Sequence, residues 1–467
     1  MTMNRRDFLM KSAYASGLVL ASQTLPGWMG TAFAQNQSAT AAAEDHFLLV
    51  LRVNGAWDVT MAMDARLPSD LQKAGADQDD FFYLYKDEEI VKAGEGLFAP
   101  PAAALVKHVD DIAIINGIMM MSQNNVHEQN RAYMVSGSTN ADDGAFPFQL
   151  AMTLGDAPLG VAHQYEYEQI QTGGYPSMTR INELMTSKSV SQSQTDAIMR
   201  ARVKQIAKIN GRARARALVN SQVTAVDSNV KLKRMNELSV EFASKAPNGN
   251  DRLKAVSSVL AAFAAGTVRY AVYDFQADSK LDTHFDHAAK HPTGLKEAFD
   301  NVAAVIELMK SLPYTKADGQ VDGTMFDHTT VVVMSEFART PWKENGSGTG
   351  HNPLCNSALL FGKNIQGGRV HGSSRIWTRK QTAESRSRLQ ASLYDFNEGQ
   401  PVSDAVLAAA VKGTIKVGAC AVGSSDDCVD YIYPESIWKT VAQGFGLAQG
   451  TKAVESALTI PGLIKKS

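Results

Sequence analysis

The chain has 467 residues, 44% of them hydrophobic and 20% charged, and a formal net charge of −2. That balance is ordinary for a globular protein and gives no basis for polyanion binding. The three cysteines, Cys355, Cys420 and Cys428, make no C-x-x-C pair, which excludes thiolate zinc and iron–sulfur chemistry.

The first predicted element is an export signal over residues 1–34. Arg5 and Arg6 precede Phe8, Leu9 and Lys11, a moderately apolar stretch follows, and Ala32-Phe33-Ala34 supplies a small-x-small cleavage site. This is the pattern of a twin-arginine signal cut after Ala34, and it predicts a periplasmic or secreted protein. A membrane anchor is the alternative, but Pro26 and Gly27 interrupt the apolar run, so no stable span is expected in the mature chain. The signal carries three basic residues and one acidic, so its loss takes the charge from −2 to −4. Residues 35–467 are enough for a single large α/β domain.

Five apolar runs read as strands. They lie within HFLLVLRVNGAWDVTMAMD (46–64), DIAIINGIMMM (111–121), TVRYAVYDF (267–275), TTVVVMSEF (329–337) and NSALLFG (356–362). Runs without polar alternation suit strands covered on both faces. Helix-like segments intervene at KAVSSVLAAFAAG (254–266) and GLKEAFDNVAAVIELMKSL (294–312), the latter with Pro292 just ahead of its start. The alternation predicts a mostly parallel central sheet with helices on both faces. Residues 180–250 differ: RARVKQIAKINGRARARALV (200–219) reads as solvated helix in an insertion or lid, with no nucleic-acid partner expected. Residues 385–467 read as a C-terminal extension, in which Cys420 and Cys428 flank AVGSSDD as a candidate disulfide, two free thiols being the alternative.

Open α/β sheets bind ligands beyond the carboxyl ends of their strands. Polar residues gather there: Asn54 and Asp58 after the first run, Ser122, Asn125 and His127 after the second, Asp282, His284, His287 and His291 after the third, and Glu336, Arg339 and His351 after the fourth. In LDTHFDHAAKH, Asp282 and His284 are two apart and share a side if extended. If the chain then turns helical, His284, His287 and His291 share one face, although His291 beside Pro292 is expected at the surface. Imidazole plus carboxylate is the ligand mixture of zinc or a similar divalent ion. Glu336 is read as a metal ligand or the orienter of a histidine, and Arg339 as the holder of an anionic substrate group or the partner of an internal carboxylate. NGSGTGHN lacks G-K-[ST], so its glycines shape a turn that delivers His351 and do not cradle a nucleotide. No G-x-S-x-G elbow is present, which argues against an α/β-hydrolase; Ser122 and Thr283 are the candidate nucleophiles.

LVLRVNGAWD, NNVHEQNRAYMVSG, LDTHFDH, VVVMSEFARTPWKENGSGTGHN and GKNIQGGRVHG together resemble the DUF1501 family of exported bacterial proteins, distantly similar to the alkaline phosphatase and sulfatase superfamily. The resemblance spans about residues 46–380. It implies an alkaline-phosphatase-like core that binds one or two divalent metals and acts on a small anionic phosphate or sulfate ester. Zinc is the first expectation, with calcium or magnesium as alternatives. Matched by position, Asp58, Asp282, His284 and His351 are the implied ligands, with Glu336 and His127 close by. Two departures stand out. Gly348-Thr349-Gly350-His351-Asn352 replaces the family's usual Gly-Thr-Asp-His-Gly, and Asn54-Gly55-Ala56-Trp57-Asp58-Val59 stands where Gly-Gly-x-Asp-Gly is usual. With Gly350 in place of an acid, the expectations are a reduced, single-metal site or a binding protein that has lost turnover.

Overall fold

The computed structural model describes residues 45–73, 85–120, 125–140, 143–154, 161–163, 230–247, 249–276, 280–316, 318–343, 347–377, 388–412, 417–418 and 428–465. The export signal, most of the 180–250 insertion, Ser122 and Cys420 lie outside the described residues.

Among the described residues, seven strands form the main sheet: β1 (Phe47–Val53), β2 (Ile112–Asn116), β3 (Val161–His163), β4 (Tyr270–Gln276), β5 (Thr329–Met334), β6 (Ser357–Gly362) and β7 (Arg369–His371). Their spatial order is β7-β2-β6-β5-β1-β4-β3. All neighbours pair in parallel except β6, which runs antiparallel to both β5 and β2. Each of the five apolar runs supplies one strand, so the mostly parallel α/β reading holds.

Every residue of β1, β2, β5 and β6 is buried, which explains why these runs show no alternation. Alternate β1 side chains serve different layers. Phe47, Leu49, Leu51 and Val53 join one apolar cluster; Leu48 and Val50 join the other. The first layer contains α2 (Asp251–Ala264) and α3 (His287–Ser311). The second contains α1 (His127–Ser136) and α4 (Pro434–Gly444), where the Trp438 indole donates to the Met134 carbonyl at 2.7 Å. The C-terminal residues are therefore core material, with Ile437, Trp438 and Val441 fully buried. One charged pair crosses the sheet: buried Arg52 on β1 contacts Asp274, its register partner on β4. Cys355 is free and buried and Cys428 takes part in a disulfide, but Cys420 is not described.

Two sequence expectations change at α3. The helix begins at His287, five residues before Pro292, so the proline lies inside it. Because the helix starts early, its first two turns reach into the core, and His291 is fully buried instead of exposed.

Candidate metal centre

Four loops meet beyond the carboxyl ends of the parallel strands. After β5 the chain continues through buried Ser335, Glu336 and Phe337 into a two-stranded ribbon, Ala338–Arg339 with His351–Asn352. The ribbon places Arg339 opposite His351. Asp282 and His284 lie between β4 and α3, and His127 is the first residue of α1.

Gly348 fixes the approach of two of these loops. A Cβ at this position would sit 1.6 Å from the His284 carbonyl oxygen, so only glycine lets the 347–349 backbone lie against residues 283–287. Backbone hydrogen bonds seal the contact, from His287 to Ser347 at 2.9 Å and from Thr349 to Thr283 at 3.2 Å.

The result is a cluster able to hold a metal ion, made of His127, Asp282, His284 and His351, with one donor atom of each within 4.8 Å of the others. His351 Nε2 lies 3.0 Å from His127 Nε2 and 2.9 Å from His284 Nε2. Asp282 Oδ1 lies 3.4 Å from His127 Nε2, 3.2 Å from His284 Nε2 and 3.8 Å from His351 Nε2. A tetrahedral zinc with bonds of about 2.0–2.1 Å has ligand–ligand edges of about 3.3–3.4 Å. The observed edges bracket that value.

The opposite ring nitrogens decide what these four atoms offer. His351 Nδ1 donates to the Asn125 carbonyl at 2.6 Å, and His127 Nδ1 donates to Glu336 Oε1 at 2.6 Å. A neutral imidazole that donates from Nδ1 has only a lone pair at Nε2. Lone pairs therefore face one another across about 3 Å, beside a carboxylate oxygen, an arrangement that requires a cation or a proton between them. In the metal-free protein a proton serves. Burial disfavours the charged form of His127, but its hydrogen bonds to the Asp282 and Glu336 carboxylates outweigh it and raise the pKa to about 9. Burial also opposes the charge of Asp282, yet His127, His351 and Arg339 hold this carboxyl well below the usual range. Metal binding must displace the His127 proton.

A second set of residues orients the first. Glu336 is fully buried and offers no atom to the cluster. Its carboxylate accepts from His127, from the Gly55 amide at 2.9 Å, from Ser335 at 2.9 Å and from Arg131 at 3.4 Å. Burial pushes Glu336 up, but His127 and Arg131 bring it to about 2. A carboxylate–histidine pair of this kind sets the tautomer and basicity of a metal-ligating imidazole. Arg339 is also fully buried. Its guanidinium contacts Asp282 and donates to the carbonyls of Gly55 (3.0 Å), Ala56 (3.3 Å) and Thr349 (3.3 Å). These bonds occupy all three nitrogens of its fork, so Arg339 positions Asp282 and is not an exposed clamp for a substrate anion.

Asp58, a ligand implied by the resemblance, and His287, a metal candidate from the histidine cluster, fall elsewhere. Asp58 Oδ1 accepts from the Thr60 amide (3.0 Å) and hydroxyl (2.6 Å), while Oδ2 faces His287 Nε2 at 3.2 Å. Both residues are fully buried beside Thr283 and His291, so Thr283 is not poised as a nucleophile. Of the twelve strand-end residues singled out in sequence, Asp282, His284, His351 and His127 share one point. Arg131 was missed, although it lies one turn after His127 on the same helix face. The Asn125 carbonyl and Gly348 carried no side-chain signal.

Residues 282–395 match the family model DUF1501, "Protein of unknown function". That segment carries the DUF1501 signature. It begins at Asp282 and contains His284, Glu336, Arg339 and His351; His127 lies outside it. No curated protein matches the chain. Among solved structures, the lipoteichoic acid synthase LtaP from Listeria monocytogenes overlaps at 8% identity and a TM-score of 0.31, covering 76% of this chain and 74% of that one. A protein in the alkaline phosphatase superfamily from Vibrio parahaemolyticus overlaps at 10% identity and 0.30, covering 80% and 72%. The PsFucS1 sulfatase from Pseudoalteromonas sp. overlaps at 10% identity and 0.27, covering 74% and 68%.

Proposed function

We propose that the chain is an exported, metal-dependent hydrolase of phosphate or sulfate esters, built on a single zinc-type ion. The observation that supports this reading most directly is the convergence of three imidazole Nε2 atoms and one carboxylate oxygen on one point. Three nitrogen donors favour zinc over calcium or magnesium, which select oxygen. The His284 and Asp282 side chains are 42% and 35% exposed, so the centre opens to solvent on the side where a fifth ligand, water or substrate, would have to join the four protein donors.

When bound, such an ion supplies a Lewis acid that polarises an ester oxygen and lowers the pKa of water. The chain's own residues do the rest. Glu336 holds the Nδ1 proton of His127, the Asn125 carbonyl holds that of His351, and Arg339 fixes Asp282. With Thr283 buried and bonded, the reading takes water as the attacking group. The substrate is a small anionic ester, no nucleic acid is a partner, and no stable membrane span is expected in the mature chain. Among the described residues no helix is long and apolar enough to cross a membrane. The arginine pair and cleavage site of residues 1–34 support export.

Two observations favour a second reading, a binding protein that has lost turnover. Gly350 stands where the resemblance implies an acid, and Arg339 is saturated by internal partners. Purified mature protein assayed for bound metal and for cleavage of aryl phosphates and sulfates, with and without chelator, separates the two. The hydrolase reading expects about one zinc per chain and chelator-sensitive turnover that Asp282→Ala abolishes. Bound metal with no turnover supports the second reading, and no metal with no hydrolysis under supplementation defeats the hydrolase.

A further inference from the structure

The residues between the metal-facing ones form a circuit of their own. The Asp58 backbone N–H can only donate, and it meets His291 Nε2 at 2.8 Å, so that nitrogen carries a lone pair. The hydrogen of His291 is then on Nδ1, which faces Thr283 Oγ1 at 3.0 Å and donates to it. The Thr283 hydroxyl has one hydrogen to give, and His287 Nδ1 at 2.7 Å is the nearer acceptor, ahead of the Leu281 carbonyl at 3.3 Å. An ionised carboxylate only accepts, so His287 carries its hydrogen on Nε2, 3.2 Å from Asp58 Oδ2. The chain of donors therefore leaves Asp58 through its amide and returns through its carboxylate. The two imidazoles are stacked, with centroids 4.3 Å apart, and Asp58, His287 and His291 are fully buried.

We propose that Asp58, His291, Thr283 and His287 form a one-directional hydrogen-bonded ring, with the two histidines locked in opposite tautomers, and that Thr283 is the positioning residue through which this ring presents Asp282 and His284. The functional half of this inference rests on the metal-centre reading; the ring itself does not. Thr283 lies between the two ligands in the chain and turns inward while they turn outward. Fixing its hydroxyl at two points fixes the segment that carries them. The ring also reaches the loop that delivers His351. The Thr349 hydroxyl lies 3.1 Å from His287 Nδ1, and its amide donates to the Thr283 carbonyl at 3.2 Å. Three of the four metal-facing side chains are thus tied to the end of β1 by groups that never reach the ion.

Long-range proton–nitrogen correlation on the metal-free mature protein, labelled with ¹⁵N-histidine, tests the ring. His291 should be protonated at Nδ1 alone and His287 at Nε2 alone; a doubly protonated His287 or matching tautomers overturns the ring. Zinc affinity, measured by competition with a chromophoric chelator, tests the positioning role. Thr283→Val removes the hydroxyl at nearly constant volume and should weaken zinc by about tenfold or more, while Thr283→Ser restores wild-type affinity. Unchanged affinity in Thr283→Val overturns the role. If that variant does not fold, His291→Gln opens the ring at another member and must weaken zinc in the same way, or the role is overturned. A wild-type protein that binds no zinc defeats the metal centre and the positioning role with it, while the tautomer pattern still decides the ring.

Discussion

Two groups of histidines meet at the segment that leads into α3, yet they are opposite in kind. His127, His284 and His351 turn Nε2 lone pairs toward one another and toward Asp282, at a place partly open to solvent. His287 and His291 have a partner at each ring nitrogen and are sealed from water. The contrast shows that a cluster of histidines in sequence is not by itself a ligand set. What separates a ligand from a structural histidine is whether its second nitrogen has somewhere to go. In the segment from Asp282 to His291 the chain divides these duties almost residue by residue.

His284→Ala and His291→Ala separate the two groups most widely. Losing His284 should weaken zinc by more than about a hundredfold, beyond the usual effect of an orienting residue. It should leave metal-free stability nearly unchanged, because the side chain is partly exposed. Losing His291 should cost about 2–4 kcal/mol in the metal-free protein, from a cavity and an opened ring. Chelator competition and urea unfolding on both variants give the four numbers. If His284→Ala destabilises the metal-free protein as much as His291→Ala, the two groups are not different in kind.

Next in size is Glu336→Gln. The amide still accepts from His127 Nδ1, but it no longer carries the charge that raises the basicity of that ring. Zinc affinity should fall by about 10–100-fold. Buried Arg131 would then face a neutral group, at a cost of about 1–3 kcal/mol. An affinity within twofold of wild type would show that His127 needs no carboxylate behind it.

The sheet was legible because continuous apolar runs can be satisfied only by strands covered on both sides, and each of the five became one. The site was legible as a neighbourhood, because ligand-capable side chains follow those runs. Its division was not. Spacing within LDTHFDHAAKH is compatible with His284, His287 and His291 on one face, and only the early start of α3 separates them. Asp58, read as a ligand from the family pattern, closes the buried ring through its amide as well as its carboxylate, and no residue code announces a backbone donor. Arg339 was recognised as a partner for either an anion or an internal acid, and burial decides for the acid.

Gly348→Ala probes the seam where both groups meet. Its new Cβ would collide with the His284 carbonyl, forcing the 347–349 loop away from the segment it braces. An overpacked contact of this kind costs about 1–3 kcal/mol. Because Thr349 is part of the seam, zinc affinity should fall together with the unfolding midpoint. A variant as stable as wild type, with unchanged affinity, would mean that the two loops need no close approach.

A third kind of histidine serves as the control. His371 on β7 is buried, its Nε2 has no hydrogen-bond partner among the described residues, and it belongs to neither group. Burial pushes its pKa from 6.5 down to about 4. A pKa lower in the folded than in the unfolded chain means that the unfolded state binds the proton first. The contribution of His371 to stability is therefore intact above about pH 6.5 and is lost as the pH falls toward 4. At pH 5.5 the loss should be about 1 kcal/mol relative to pH 8. His46 and His291 are also depressed by burial, so the total acid sensitivity of the wild type belongs to several residues. The difference between wild type and His371→Gln isolates one of them. Urea unfolding of both at pH 8 and 5.5, with chelator present so that metal affinity plays no part, should show a shallower pH dependence in the variant. Equal slopes would place the acid sensitivity in the other buried histidines, and the sealed ring around His291 would be the first place to look.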